Sequence, residues 1–174
     1  MRTFLVFLAV FGVALLGLAA YMGLFLSVSI SKEDRGPFTF VYQPVSRDPG
    51  EPVDVQTVGQ VTDDIAAMLD GIGLTVREPL QVYHPDGAVE VGFSVDADIR
   101  GLQLSNGTTM RVIPRQSMLT TRFPWRHATS FMLGYLKVNP ALKAYRESNN
   151  LAETEAMTLY EGSSILYLQP AITR

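Results

Sequence analysis

The chain has 174 residues, a net charge of −3 and a pI of about 5.3, which allows one ordinary domain plus an appendage. Its 14 basic residues neither outnumber its 17 acidic ones nor cluster, which argues against a nucleic-acid partner. Cysteine is absent, which excludes disulfides, thiolate metal sites and a cysteine nucleophile.

Residues 3–30 carry no charge. A hydrocarbon core about 30 Å thick needs roughly 20 apolar residues as helix, and residues 4–26 meet that length. Gly12, Gly17 and Gly23 would weaken a helix in water but are common in membrane spans. A cleaved signal peptide is the rival reading. Its apolar region is shorter and ends at a small-x-small site, whereas Leu18 occupies the position that should be small. The expectation is an uncleaved single-pass anchor over residues 1–30 in the cell (inner) membrane. Arg2 lies on one side and Lys32 and Arg35 on the other, so orientation is weakly encoded; the short amino-terminal tail favours a soluble domain on the non-cytoplasmic side. Residues 31–37, charged and ending in Gly36-Pro37, are expected as a short juxtamembrane linker.

The rest reads as one pattern written twice. Residues 38–45, rich in aromatic and β-branched types, predict a strand, followed by turn chemistry over residues 47–52. Val58, Val61, Ile65, Met68, Leu69 and Ile72 recur at helical spacing, with Asp54 or Thr57 as N-cap and Gly71 or Gly73 as terminator. Residues 80–84 and 88–95, around Pro85-Asp86-Gly87, predict a hairpin. Extra material follows over residues 102–113, with a turn expected at Asn106-Gly107. The order then returns: a strand over 118–123, a helical pattern from Phe131 to Tyr145, and a hairpin of strands 157–160 and 165–168. Asn139-Pro140 suits the start of a new helix, so a break is expected there. The fold class expected is α+β, a transmembrane helix followed by a duplicated strand-helix-hairpin domain over 38–174, with halves 38–100 and 115–172 and a concave groove between them.

This plan resembles the GyrI-like, or effector-binding, domain, which is related to the SOUL family. The resemblance rests on the Phe123-Pro124 strand exit, the Asn139-Pro140-Ala141-Leu142 stretch with Tyr145, and the Leu159-Tyr160 strand. It is greatest to a membrane-anchored branch that includes a vertebrate receptor for reticulum autophagy. The second half matches in residues and the first in pattern; no single motif is diagnostic. The resemblance implies a groove for small, often apolar or cationic molecules, and in one branch hydrolysis. Many relatives carry a Glu two residues before the tyrosine of the late strand. Here that position is Thr158, which removes the counter-charge for a cation and the acid/base of a hydrolase. The receptor's acidic tail has no counterpart before the chain ends at Arg174, so that function is not carried over.

Alternation puts Gln81 with Tyr83, and Thr158 with Tyr160, on one face of their strands. If the halves are symmetric, these four line the groove; the bland alternative is that the tyrosines are ordinary half-buried strand residues. Phe123 and Trp125 are candidates for the groove rim or for contact with lipid, core packing being the plainer role for Phe123. His84 and His127 are the only histidines and have no metal-ligand spacing, so neither metal nor cofactor is expected. No nucleophile motif stands out. The reading is a membrane-anchored module that binds a neutral or apolar, lipid-like small molecule. A protein-interaction domain with a degenerate groove is the alternative. A hydrolase would need a carboxylate such as Glu90 facing the groove.

Overall fold

Three helices and eight strands follow one another in the computed structural model, which describes residues 2–21, 23–45, 54–96, 104 and 107–174. In chain order they are α1 (Arg2–Tyr21), β1 (Ser31–Arg35), β2 (Phe38–Val45), α2 (Val55–Gly71), β3 (Val76–Tyr83), β4 (Val89–Val95), β5 (Thr109–Ile113), β6 (Gln116–Pro124), α3 (Ala128–Ser148), β7 (Ala156–Glu161) and β8 (Ser164–Pro170). The strands form one antiparallel sheet in the order β1-β6-β8-β7-β3-β4-β2-β5. The duplication is visible in this order. β2, β4 and β3 of the first half mirror β6, β8 and β7 of the second, and β3 meets β7 at the centre through Leu80↔Leu159, Gln81↔Thr158 and Val82↔Met157.

Two short links curl the sheet. β5 lies at one edge and β6 next to the other, yet only Pro114 and Arg115 separate them. Arg35 and Phe38 are joined across the same gap by Gly36-Pro37, a cis peptide. Two residues reach only about 10 Å from strand end to strand end, so the two edges must come round to each other. The links pass closely, with a Cβ on Gly36 (φ 91°) falling 3.1 Å from the Pro114 carbonyl oxygen. The result is a curled half-barrel. Its inner face is filled by Phe40, Leu80, Val82, Met118, Met157 and Leu166, all essentially inaccessible to solvent.

Both α2 and α3 pack on the outer face. α2 covers Val41, Phe93 and Val95 with Ile65 and Leu69, and α3 covers Leu119, Phe123 and Ile165 with Val138 and Leu142. Asp54 caps α2 by accepting from the backbone N–H groups of Gln56 and Thr57, both at 3.1 Å.

The structure differs from the sequence reading in several places. Residues 31–35, expected as linker, are β1, paired with β6 from Ser31↔Thr120 to Arg35↔Gln116. Their charges suit an edge strand, where they discourage further pairing. α3 runs unbroken through Pro140. Val138 and Leu142, buried on either side of the proline, hold both halves of the helix to the sheet, and Pro140 lies on the exposed side. Residues 46–53 and Asn106 lie outside the described residues, so the first turn and half of the Asn106-Gly107 turn do as well; β5 occupies the end of the material expected between the halves.

α1 is 20 residues of almost continuous apolar character with its large side chains exposed on all sides, among them Phe4, Phe7, Phe11 and Leu16. Among the described residues no helix is long and apolar enough to cross a membrane.

Candidate functional site

The centre of the outer face, between the two helices, is where the groove expected from the sequence would lie. α2 packs on β2, β3 and β4, α3 on β6 and β8, and β7 lies between them. Cross-strand partners share a face, so the register defines the groove floor. Gln81, Thr158, Tyr167 and Thr121 form one row across β3, β7, β8 and β6. Tyr83 and Tyr160 stand one step along their strands on the same face.

The side chains meet as well as share a face. Tyr83 Oη donates to Gln81 Oε1 at 2.6 Å. The Trp125 ring stands edge-on to Tyr160, centroids 5.3 Å apart and planes at 89°, an arrangement that favours aromatic pairs. Burial pushes the Tyr160 phenol well above the usual tyrosine range, with Tyr83 and Tyr167 adding to the shift. Burial raises Tyr167 likewise, with a contribution from Tyr83.

The row holds three buried hydroxyls. Thr121 Oγ1, Thr158 Oγ1 and Tyr167 Oη are buried and have no hydrogen-bond partner among the described residues. Their residues are 3–4% exposed. A buried hydroxyl without a partner costs roughly 1–3 kcal/mol, so three in one row is an expensive arrangement. Gly134 on α3 lets Tyr167 fit, since a Cβ there would run into its hydroxyl.

Of the residues selected from sequence, Gln81, Tyr83, Thr158 and Tyr160 share the outer face of β3 and β7, and Trp125 packs against Tyr160. Phe123 does not line the expected groove openly: it is 2% exposed, packed in the core beneath α3 and against Gly23. Tyr167 and Thr121 were missed. Tyr167 sits in the near-continuous apolar run of β8, where alternation shows no face, but its pairing with Thr158 follows from the tight β7–β8 hairpin. The floor row and its two tyrosines carry no carboxylate. Glu90, paired with Val82 and Pro44, lies on the inner face, away from the groove.

Glu90 belongs to a second cluster at one mouth of the half-barrel. Its carboxylate lies 2.9 Å from Arg111 and 3.2 Å from His84 Nε2. Arg111 also donates to Glu155 at 2.9 Å and stands over the Tyr42 ring, 6.0 Å from its centroid. The Arg111–Glu90 approach is close but poorly aligned, leaving Glu90 Oε2 without a true hydrogen bond. Among the described residues no group of His, Asp and Glu is arranged to hold a metal ion. A cavity of about 700 Å³ lies at the other mouth, lined by Arg35, Phe38, Arg77, Glu78, Arg115 and Leu159 among others, and is separate from the aromatic groove.

No protein-family model matches the chain, and no curated protein is similar to it in sequence. Solved structures resemble it closely in fold. The EcmrR C-terminal domain superposes with a TM-score of 0.64 at 11% identity, over 84% of this chain and 99% of that one. EcmrR in a complex with DNA gives 0.66 at 11% identity, over 92% of this chain and 63% of that longer one. SAV2435 bound to tetraphenylphosphonium gives 0.59 at 11% identity, over 82% and 93%. At such identities the likeness establishes the α+β fold and the curled sheet with helices on one face.

Proposed function

We propose that this chain is a membrane-anchored binding module that holds a neutral, amphipathic small molecule in the groove between α2 and α3. The observation that carries this reading is the row Thr121-Thr158-Tyr167, three buried hydroxyls without partners among the described residues, flanked by the rings of Tyr83, Tyr160 and Trp125. Apolar walls with a few convergent polar groups suit a small-molecule site. A ligand hydroxyl, amide or ester group would satisfy those hydroxyls, and its apolar part would face the rings. The likeness to a structure bound to an organic ligand supports the use of this fold for binding. It also supports the resemblance to effector-binding domains read from the sequence. The floor offers no carboxylate, so it supplies neither a counter-charge for a cation nor an acid/base group for hydrolysis. Binding rather than turnover is the role assigned.

The anchor is α1, with its exposed apolar surface, in the cell membrane. The folded domain is assigned to the non-cytoplasmic side, which protease accessibility in intact cells and inverted vesicles tests.

The experiment is mass spectrometry of what co-purifies with the full chain in detergent. Any shortened form must keep Val28, Ile30 and β1, which belong to the fold. A stoichiometric neutral molecule should appear and should fall at least tenfold in the double variant Tyr83→Ala/Tyr160→Ala. Tetraphenylphosphonium should bind more weakly than a neutral aromatic of similar size. An empty groove, or a cationic ligand retained in the double variant, overturns the reading.

A further inference from the structure

The amino-terminal half of α3 has too many apolar faces for one sheet. Phe131 and Leu133 pack toward the core beneath the helix, and Gly134 and Val138 are buried. Yet Met132, Tyr135 and Leu136 point away from the sheet and are 63%, 52% and 64% exposed. A helix that is apolar all round is ordinarily covered all round. The other half of α3 is different, with Lys143 and Glu147 on its exposed side.

The place of this patch in the molecule identifies what covers it. The next residue, Lys137, donates from Nζ to the carbonyls of Gly23 at 3.4 Å, of Leu26 at 2.6 Å, and of Leu24. These follow directly on the end of α1, where an ammonium suits the negative end of the helix dipole. Arg126, just before α3, stands 5.4 Å from the centroid of the Tyr21 ring, the last residue of α1. Gly23, at φ 91°, lies against Phe123, with its Cβ position 3.0 Å from that ring. The end of α1 and the residues after it are thus held at three points, by Phe123 in β6, by Arg126 before α3 and by Lys137 within α3. Leu24, Phe25 and Leu26, exposed beside Lys137, continue the apolar surface from α1 toward α3.

We propose that Met132, Tyr135 and Leu136 form a second membrane contact, with the amino-terminal half of α3 lying in the interface of the bilayer that α1 enters. This rests on α1 being the anchor. A tyrosine among aliphatic side chains, with Lys137 and Arg126 beside it, suits the depth where acyl chains meet headgroups. The domain then has two attachments and a fixed orientation, with the start of α3 against lipid and its charged end raised toward water.

The absence of cysteine makes the test clean. Single cysteines are placed at Met132→Cys, Leu136→Cys, Leu15→Cys in α1 and Asp63→Cys on the exposed side of α2. The full chain is spin-labelled and reconstituted in phosphatidylcholine vesicles. Collision of each label with oxygen, which concentrates in lipid, is compared with collision with a nickel chelate, which stays in water. Labels at 132 and 136 should favour oxygen several-fold over the label at 63 and approach the label at 15. If the label at 15 lies in lipid while those at 132 and 136 match the one at 63, the α3 contact is overturned and the anchor stands. If the label at 15 is itself in water, the anchor reading and this inference both fall. Native Trp125 fluorescence checks that each variant is folded.

Discussion

Tyr160 and Tyr167 hold their phenol protons against burial, and this ties two residues to a measurable pH dependence. In the unfolded chain both ionise near pH 10. In the folded chain burial keeps them protonated to higher pH. As pH rises through about 10, the unfolded state releases its protons first, so stability is full below that pH and falls above it. Ultraviolet titration of the phenolates should therefore show two of the seven tyrosines ionising only as the protein unfolds in alkali. At the opposite face, Arg111 stands between Glu90 and Glu155. Replacing it by Met would leave two carboxylates facing each other in a half-buried mouth. The expected loss is about 2 kcal/mol in urea unfolding, less than for a fully buried pair because Arg111 is 31% exposed. Adding Glu155→Gln to Arg111→Met should recover part of that loss, since it removes one of the two like charges. The groove residues were legible because Gln81, Tyr83, Thr158 and Tyr160 alternate within half-polar strands. The cluster of His84, Glu90, Arg111 and Glu155 was not, because its members come from four separated segments that only strand register brings together.

Among the elements, β4 shows most directly how the sheet is shaped. Gly92 pairs with Tyr42 and Leu80, and a Cβ on it would enter the space of the Val41 carbonyl and the Tyr42 backbone. A glycine at such a point lets neighbouring strands close up where a sheet bends. Gly92→Ala should cost about 3 kcal/mol, measured by thermal or urea unfolding, while Gly71→Ala at the open end of α2 should change little. The helices and hairpins declared themselves through periodicity and turns. β1 did not, because Ser-Lys-Glu-Asp-Arg has no apolar alternation and takes strand form only through its pairing with β6. The unbroken α3 was hidden for a related reason: local chemistry at Asn139-Pro140 reads as an interruption, and tertiary packing of Val138 and Leu142 overrides it.

For the molecule as a whole, the inner core belongs to neither half. Phe40, Leu80 and Val82 from one half interdigitate with Met157, Leu159 and Leu166 from the other. An isolated second half, residues 115–172, should show no cooperative unfolding transition by circular dichroism, because half of that core would face water. The duplicated plan was visible in the sequence; the curl was not, since it depends on two edges joined by two-residue links. That geometry also makes α3 a shared part. It walls the groove above Tyr167 through Gly134, and it grips the end of α1 through Lys137. Mechanically it is a crossbar. On the function proposed above, a groove occupant thick enough to lift α3 would turn the shaft fastened to it, and a bilayer that tilts that shaft would widen or narrow the groove by the same coupling. On that proposal, affinity for the ligand and the thickness of the membrane would be two readings of one displacement.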